Sequence, residues 1–401
     1  MPNANETERS PWAVFLIFLR LGLTSFGGPI AHLGYFRDEF VTRRQWLSER
    51  SYADLVALCQ FLPGPASSQV GIALGLYRAG FAGALAAWIG FTLPSAIALI
   101  LFALGIASYG DAIPAGALHG LKVVAVAVVT QAVWGMARNL CPDAPRITLM
   151  AAATCFVLLA PSAWAQVGVI AVAAILGLLL FKPQQGAAHE PLPIAMRRRV
   201  GLALLMLFCA LLLGLPLLTA MVPSQTLSMV DAFYRAGSLV FGGGHVVLPL
   251  LQSEVVPNGW VGNDAFLAGY GAAQAVPGPL FTFAGFLGAS MNEAPSGWVG
   301  GLICLLAIFA PSFLLVAGAL PFWERLRRHA RTQAALLGVN AAVVGLLLAA
   351  LYQPVWTSAI HAPQDFGLAL VALVALMFWK LPPWLVVVAS GVAGGLLSTV
   401  L

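Results

Sequence analysis

The chain has 401 residues, of which 60% are hydrophobic and only 9% charged, with a mean hydropathy of +0.90. Soluble domains hold about 25% charged residues, so a soluble fold is excluded. A membrane β-barrel is excluded too, because it alternates apolar and polar residues in segments of about ten. The net charge of +5 informs topology rather than nucleic-acid binding.

The opening stretch "MPNANETERS" is polar and acidic. It lacks the basic n-region and small-residue cleavage site of a signal peptide, so no cleaved leader is expected. Apolar segments then follow at 12–30, 52–77, 80–107, 113–137, 146–160, 163–181, 199–222, 228–250, 263–290, 297–320, 333–353, 364–379 and 382–400. Most approach the ~20 residues that span ~30 Å of hydrocarbon. The fifth and sixth, and the last two, are separated only by "APSAW" and "KLPPW", which read as tight hairpins. The predicted fold is an all-α polytopic membrane protein with about thirteen crossings.

Basic residues set the orientation. A cytoplasmic N-terminus puts Arg9, Arg78, Arg138, Arg146, Lys182, Arg197, Arg198, Arg199, Arg325, Arg327, Arg328, Arg331 and Lys380 inside. It leaves Arg37, Arg43, Arg44 and Arg50 outside, all in one loop. That loop is either a basic funnel for anions or a stretch that re-enters the membrane. The expected orientation is N-terminus cytoplasmic, C-terminus periplasmic.

The chain repeats itself. At an offset of about 215, Arg20 falls on Arg235, Phe26-Gly27-Gly28 on Phe241-Gly242-Gly243, and Glu39 on Glu254. Gln60, Pro63, Gly64 and Pro65 fall on Gln274, Pro277, Gly278 and Pro279, and Pro94-Ser95 on Pro311-Ser312. Two halves, 1–181 and 228–401, are joined by 182–227, a cytoplasmic linker plus one separating segment. One odd segment inverts the second half relative to the first, the architecture of many secondary transporters.

Both Pro-Gly-Pro elements lie within apolar segments and are read as breaks, since proline removes a helical hydrogen bond. A helix restarting after Pro65 or Pro279 offers free N–H groups to an anion. Ser67, Ser68, Gln69 and Thr282 follow with side-chain donors; a packing kink is the alternative. The Gly pairs Gly27-Gly28 and Gly242-Gly243 have the same two readings, a binding break or a small-residue helix contact.

Arg20 and Arg235 lie within apolar segments, where an ionisable group is costly unless paired or hydrated. Together they could neutralise one dianion; the alternative is a structural pair in each half, Arg20 with Glu39 and Arg235 with Glu254. Lys122, matched by Asn340, is read as snorkelling to an interface or as gating. His32 and His245 flank the Gly pairs and are candidates for proton coupling or structural hydrogen bonding. The five cysteines are scattered and read as small apolar residues. No phosphate loop, H-E-x-x-H or C-x-x-C motif is present, so no enzyme activity, cofactor or metal is expected.

The pieces "FGGPIAHLGYFRDEFV", "QFLPGPASSQVGIALG", "FGGGHVVLPLLQSEVV" and "QAVPGPLFTFAGFLGA" together resemble the chromate ion transporter family over nearly the whole chain. The resemblance implies a bacterial inner-membrane exporter of chromate, with sulfate as competitor or alternative substrate. It implies that the Gly-Gly, Pro-Gly-Pro and linked charged residues named above carry function. Gly244 stands where the first half has Pro29, so the halves need not contribute equally. Proton coupling and a homodimer are left open. A sulfate or other oxyanion transporter, a lipid-linked phosphate flippase and a non-transporting scaffold are the rival readings. The partners expected are the oxyanion and the lipid bilayer, not nucleic acid.

Overall fold

The computed structural model describes residues 10–109, 114–182, 196–326 and 329–400. Arg9, the linker residues 183–195 and the pair Arg327 and Arg328 lie outside them. Among the described residues every regular element is helical. Six helical stretches are long and apolar enough to cross a membrane: Ala66–Tyr109, Ala115–Leu140, Ala163–Leu180, Arg198–Met221, Gly297–Phe322 and Ala330–Ala359. The chain is an all-α polytopic membrane protein.

The first half opens with α1 (Pro11–Thr24), whose N-terminus is capped by the Ser10 hydroxyl accepting from the Ala13 N–H at 3.1 Å. The predicted segment 12–30 does not run on as one helix. Gly27 and Gly28 adopt φ of +100° and +76°, a left-handed geometry that glycine adopts without strain. The chain then restarts as α2 (Gly28–Arg37), which continues into a π-helical turn, Asp38–Arg43. Next come α3 (Glu49–Phe61), the Pro-Gly-Pro break, and α4 (Ala66–Tyr109), two helical arms joined at non-helical Ala79 and Gly80, where Gly75 packs against the Gly83 carbonyl. The half closes with α5 (Ala115–Leu140), α6 (Ala144–Leu159) and α7 (Ala163–Leu180). Ser162 caps α7 in the tight α6–α7 hairpin. The separating helix is α8 (Arg198–Met221).

The second half repeats this order. It runs α9 (Gln225–Leu239), a break, α10 (Val247–Val255), α11 (Asn263–Ala273), a break, α12 (Phe283–Ala289) and α13 (Gly297–Ala319). After the short α14 (Trp323–Leu326) come α15 (Ala330–Ala350), the short α16 (Thr357–Ala359), α17 (Pro363–Met377) and α18 (Pro383–Val400). The predicted segments 228–250 and 263–290 are thus divided as their partners in the first half are.

Packing repeats as well. Helix α1 lies along α4 in the first half, and α9 lies along α13 in the second. The terminal hairpins are exchanged: α6 and α7 pack on α15, while α17 and α18 pack on α5. Glycine makes the exchange close, because backbones touch where no side chain intervenes. Gly120 of α5 meets the Ser390 carbonyl of α18, and Gly338 of α15 meets the Ala173 carbonyl of α7.

Candidate functional site

The broken helices of the two halves meet each other. The Gly64 N–H donates to the Val240 carbonyl at 2.7 Å, and the Gly278 N–H donates to the Ser25 carbonyl at 2.9 Å. Val240 and Ser25 each immediately precede a Phe-Gly-Gly element. Each Pro-Gly-Pro of one half is therefore bonded to the Gly-Gly break of the other. The shared serines complete the exchange: a Cβ on Gly64 would lie 3.1 Å from the Ser312 hydroxyl, and one on Gly278 would lie 2.9 Å from that of Ser95. Both glycines have positive φ, +123° and +94°.

One of these two junctions holds a cavity of about 70 Å³. Its lining comprises Gly27, Gly28, Pro29, Val128, Gln131, His245, Ala273, Gln274, Val276, Gly278, Leu280 and Pro383. At ~30 Å³ per liquid water, this is room for about two waters, the scale of one small stripped ion. At the matching place in the other half, Gly242 is pressed by side chains. A Cβ there would sit 3.0 Å from Leu140 Cδ1 and 3.3 Å from Met136 Cε. The junctions share a backbone pattern and differ in side-chain filling.

Several predicted polar residues serve the breaks themselves. His32 is buried, its Nε2 3.2 Å from the Ser25 carbonyl and its Nδ1 3.4 Å from the Ser67 hydroxyl. The carbonyl can only accept, so Nε2 carries the proton and Nδ1 accepts from Ser67. Gln69 donates to the Pro63 carbonyl at 2.6 Å, and Thr282 to the Pro279 carbonyl at 2.7 Å. Pro65 accepts from the Gln69 N–H at 2.9 Å. The Ser68 hydroxyl is buried without a protein partner. Gln60 is exposed at the end of α3, whereas its counterpart Gln274 lines the cavity; Pro277 lies on the same turn. Gly243 lies beside Met136, 3.6 Å from its sulfur by the same Cβ measure.

The two arginines stand apart from the cavity and differ from each other. Arg235 is largely buried and bonded to Asp231 and Glu254, each at 2.8 Å, with its guanidinium 5.1 Å from the centre of the Trp164 ring. The alternative reading, a structural pair with Glu254, is the one that forms. Its counterpart does not: Arg20 is exposed, and Glu39 is held by Arg43 at 2.8 Å and Arg44 at 2.7 Å. The reason is local sequence. Leu16 stands where the second half has Asp231, and two arginines follow Glu39 closely, Arg43 in its own π-helical turn and Arg44 at that turn's C-cap.

Two further charges singled out by the sequence are partnered. Lys122 does not simply snorkel; its Nζ lies 2.9 Å from Asp264 Oδ1, an ion pair between the halves. Arg37 pairs with Glu49 at 2.6 Å. With Asp38, Glu39 and Glu49 interspersed, the four arginines of the 37–50 loop leave one net positive charge, a weak funnel.

Gln131 and Tyr270 escaped the sequence reading. Gln131 matches Ala349 in the second half, so a search for repeated residues passes over it. The available signal was one amide in the apolar run "VVAVAVVTQAV". Tyr270 is fully buried, and its hydroxyl lies 2.8 Å from His245 Nδ1.

The model of the family described as "Chromate transporter" matches residues 12–178 and again 227–395. The chain belongs to the chromate transporter family. The double match falls on the two halves, so the family unit is one half. The chromate transport protein of Pseudomonas aeruginosa is 30% identical over 96% of this chain and 91% of its own length. That of Cupriavidus metallidurans is 25% identical over 94% and 91%. The uncharacterized transporter YwrA of Bacillus subtilis is 31% identical over 41% of this chain but 93% of its own length, so this chromate transporter family member contains about two of its units. No solved structure matches the chain.

Proposed function

We propose that the chain is a secondary transporter that exports chromate across the bacterial inner membrane, with its N-terminus cytoplasmic and its C-terminus periplasmic. Its halves are oppositely oriented, and the anion crosses where their broken helices meet. One observation carries this reading: the reciprocal N–H bonds from Gly64 to Val240 and from Gly278 to Ser25, with a small cavity beside the second. Broken backbone at membrane depth persists only where protein buries it or it lines a cavity, and inverted-repeat transporters place their substrate at such seams. The names of the full-length relatives supply the ion.

The energetics favour export. Moving one charge through 100 mV is worth about 2.3 kcal/mol, so a dianion leaving a negative interior gains about 4.6 kcal/mol. At ~1.4 kcal/mol per tenfold ratio, this sustains roughly a thousandfold outward gradient. Export needs no ATP.

The test is chromate flux in proteoliposomes with the voltage set by a potassium gradient and valinomycin. Chromate should move toward the positive side, faster at larger voltage, and sulfate in excess should compete. Flux no greater than in protein-free liposomes refutes the proposal.

A further inference from the structure

Among the described residues, the cavity wall carries no Lys, Arg, Asp or Glu. Whatever anion enters meets dipoles rather than charges. Neither matched arginine is among its lining residues, and Arg235 is already held by two carboxylates.

Three polar side chains line the space: Gln131 from α5, Gln274 from the turn before Pro277, and His245 from the second Gly-rich break. The Gln274 amide nitrogen is buried without a protein acceptor, and a buried donor left so is costly. Tyr270 fixes the tautomer of His245. Its buried hydroxyl has one partner, His245 Nδ1, and a buried O–H gives its proton to the acceptor at hand. Nδ1 therefore accepts, and the imidazole proton sits on Nε2. Gln131 adds a second amide.

We infer that Gln131, Gln274 and the Tyr270-fixed His245 form a charge-free, hydrogen-bonding site for a tetrahedral oxyanion dianion. The site rests on the transport reading above and specifies how the cargo is held. An Arg clamp would add a bidentate, permanently charged contact to the same dianion and hold it more tightly. Conduction and release require binding weak enough to leave, which neutral amides supply. The loaded site bears the whole charge of its cargo, so the membrane voltage acts on it in full.

The experiment uses the full chain. Chromate binding is measured on purified protein by equilibrium dialysis, and chromate flux in proteoliposomes, for wild type, Gln131→Met, Gln131→Glu and Tyr270→Phe. Gln131→Met keeps the volume and removes the donor; it should raise Kd and KM for chromate ~10- to 100-fold, the effect of one hydrogen bond to a charged group. Gln131→Glu should abolish binding by placing a negative charge on the wall. Tyr270→Phe frees the His245 tautomer and should weaken binding with little change in size-exclusion profile. If Gln131→Met is not monodisperse, Gln131→Glu decides alone. Wild-type flux with both Gln131 variants binding within about twofold of wild type removes this site and leaves the transport reading intact. Gln131-dependent binding without any wild-type flux does the reverse. Neither binding nor flux in wild type removes both.

Discussion

Replacing Gly278 by alanine tests the seam between the halves directly. Gly278 sits at φ +94°, and a Cβ there would lie 2.9 Å from Ser95 Oγ and 3.0 Å from the Phe91 carbonyl oxygen. The serine side chain can rotate, but the carbonyl belongs to the backbone of α4 and cannot yield alone. Holding a non-glycine residue in a sparsely populated backbone region costs about 1–3 kcal/mol, and overpacking adds about 1–3 kcal/mol. The expected total is about 2–6 kcal/mol, with loss of the N–H bond to Ser25 if the turn moves. Gly285 is the control, because it lacks a positive φ and a Cβ there meets Ile100 Cγ1 at an ordinary 3.5 Å. Thermal unfolding in detergent and chromate flux should both fall strongly for Gly278→Ala and barely for Gly285→Ala. Equal stability and flux in the two variants would show that the Pro-Gly-Pro turn does not hold the halves together.

Arg235→Ala should destabilise the protein by about 3–5 kcal/mol, because it leaves two carboxylates at the site of a largely buried ion pair. Arg20→Ala, at an exposed position, should leave the unfolding midpoint near wild type, and denaturation of the two purified variants compares them. Gly120→Val and Gly338→Val should each force a terminal hairpin off its partner helix, from the clashes with Ser390 and Ala173. Cysteine pairs placed across α5–α18 and α15–α7 would then lose their cross-linking yield. Outside the spans, Asp143 is held below the usual carboxyl range by its hydrogen bond to the Arg146 side chain, then by the Arg146 N–H. A depressed carboxyl stabilises above its unfolded value and loses that contribution as pH falls through the folded one. Asp143→Asn should therefore flatten the acid side of the stability profile slightly, since the Asp143 side chain is 42% exposed and solvent screens the pair; a profile that drops as steeply as wild type counts against the assignment.

Much of the architecture was legible because hydropathy and repetition are properties of the chain itself. The helix breaks at Gly27 and Gly64, and their counterparts at Gly242 and Gly278, follow from glycine and proline placed where a continuous helix would otherwise run. The repeat offered the Arg235–Glu254 pair as one of two readings of that arginine. The failure of Arg20 to pair with Glu39 did not, because it depends on which arginine reaches Glu39 first. Lys122 showed the same limit: its partner Asp264 lies in the other half, at a distance along the chain that no local pattern announces.

Sequence alone determined that this protein is a membrane-embedded helical repeat with paired interruptions, since burying apolar segments in lipid and breaking helices at Pro-Gly-Pro require no knowledge of neighbours. Only the tertiary structure decided that each interruption bonds to the opposite half's Gly-Gly break, and that one junction is hollow while Leu140 and Met136 fill the other. The physical reason is that two nearly identical repeats carry nearly identical local instructions. Which of them leaves a cavity depends on the side chains that other helices bring to it.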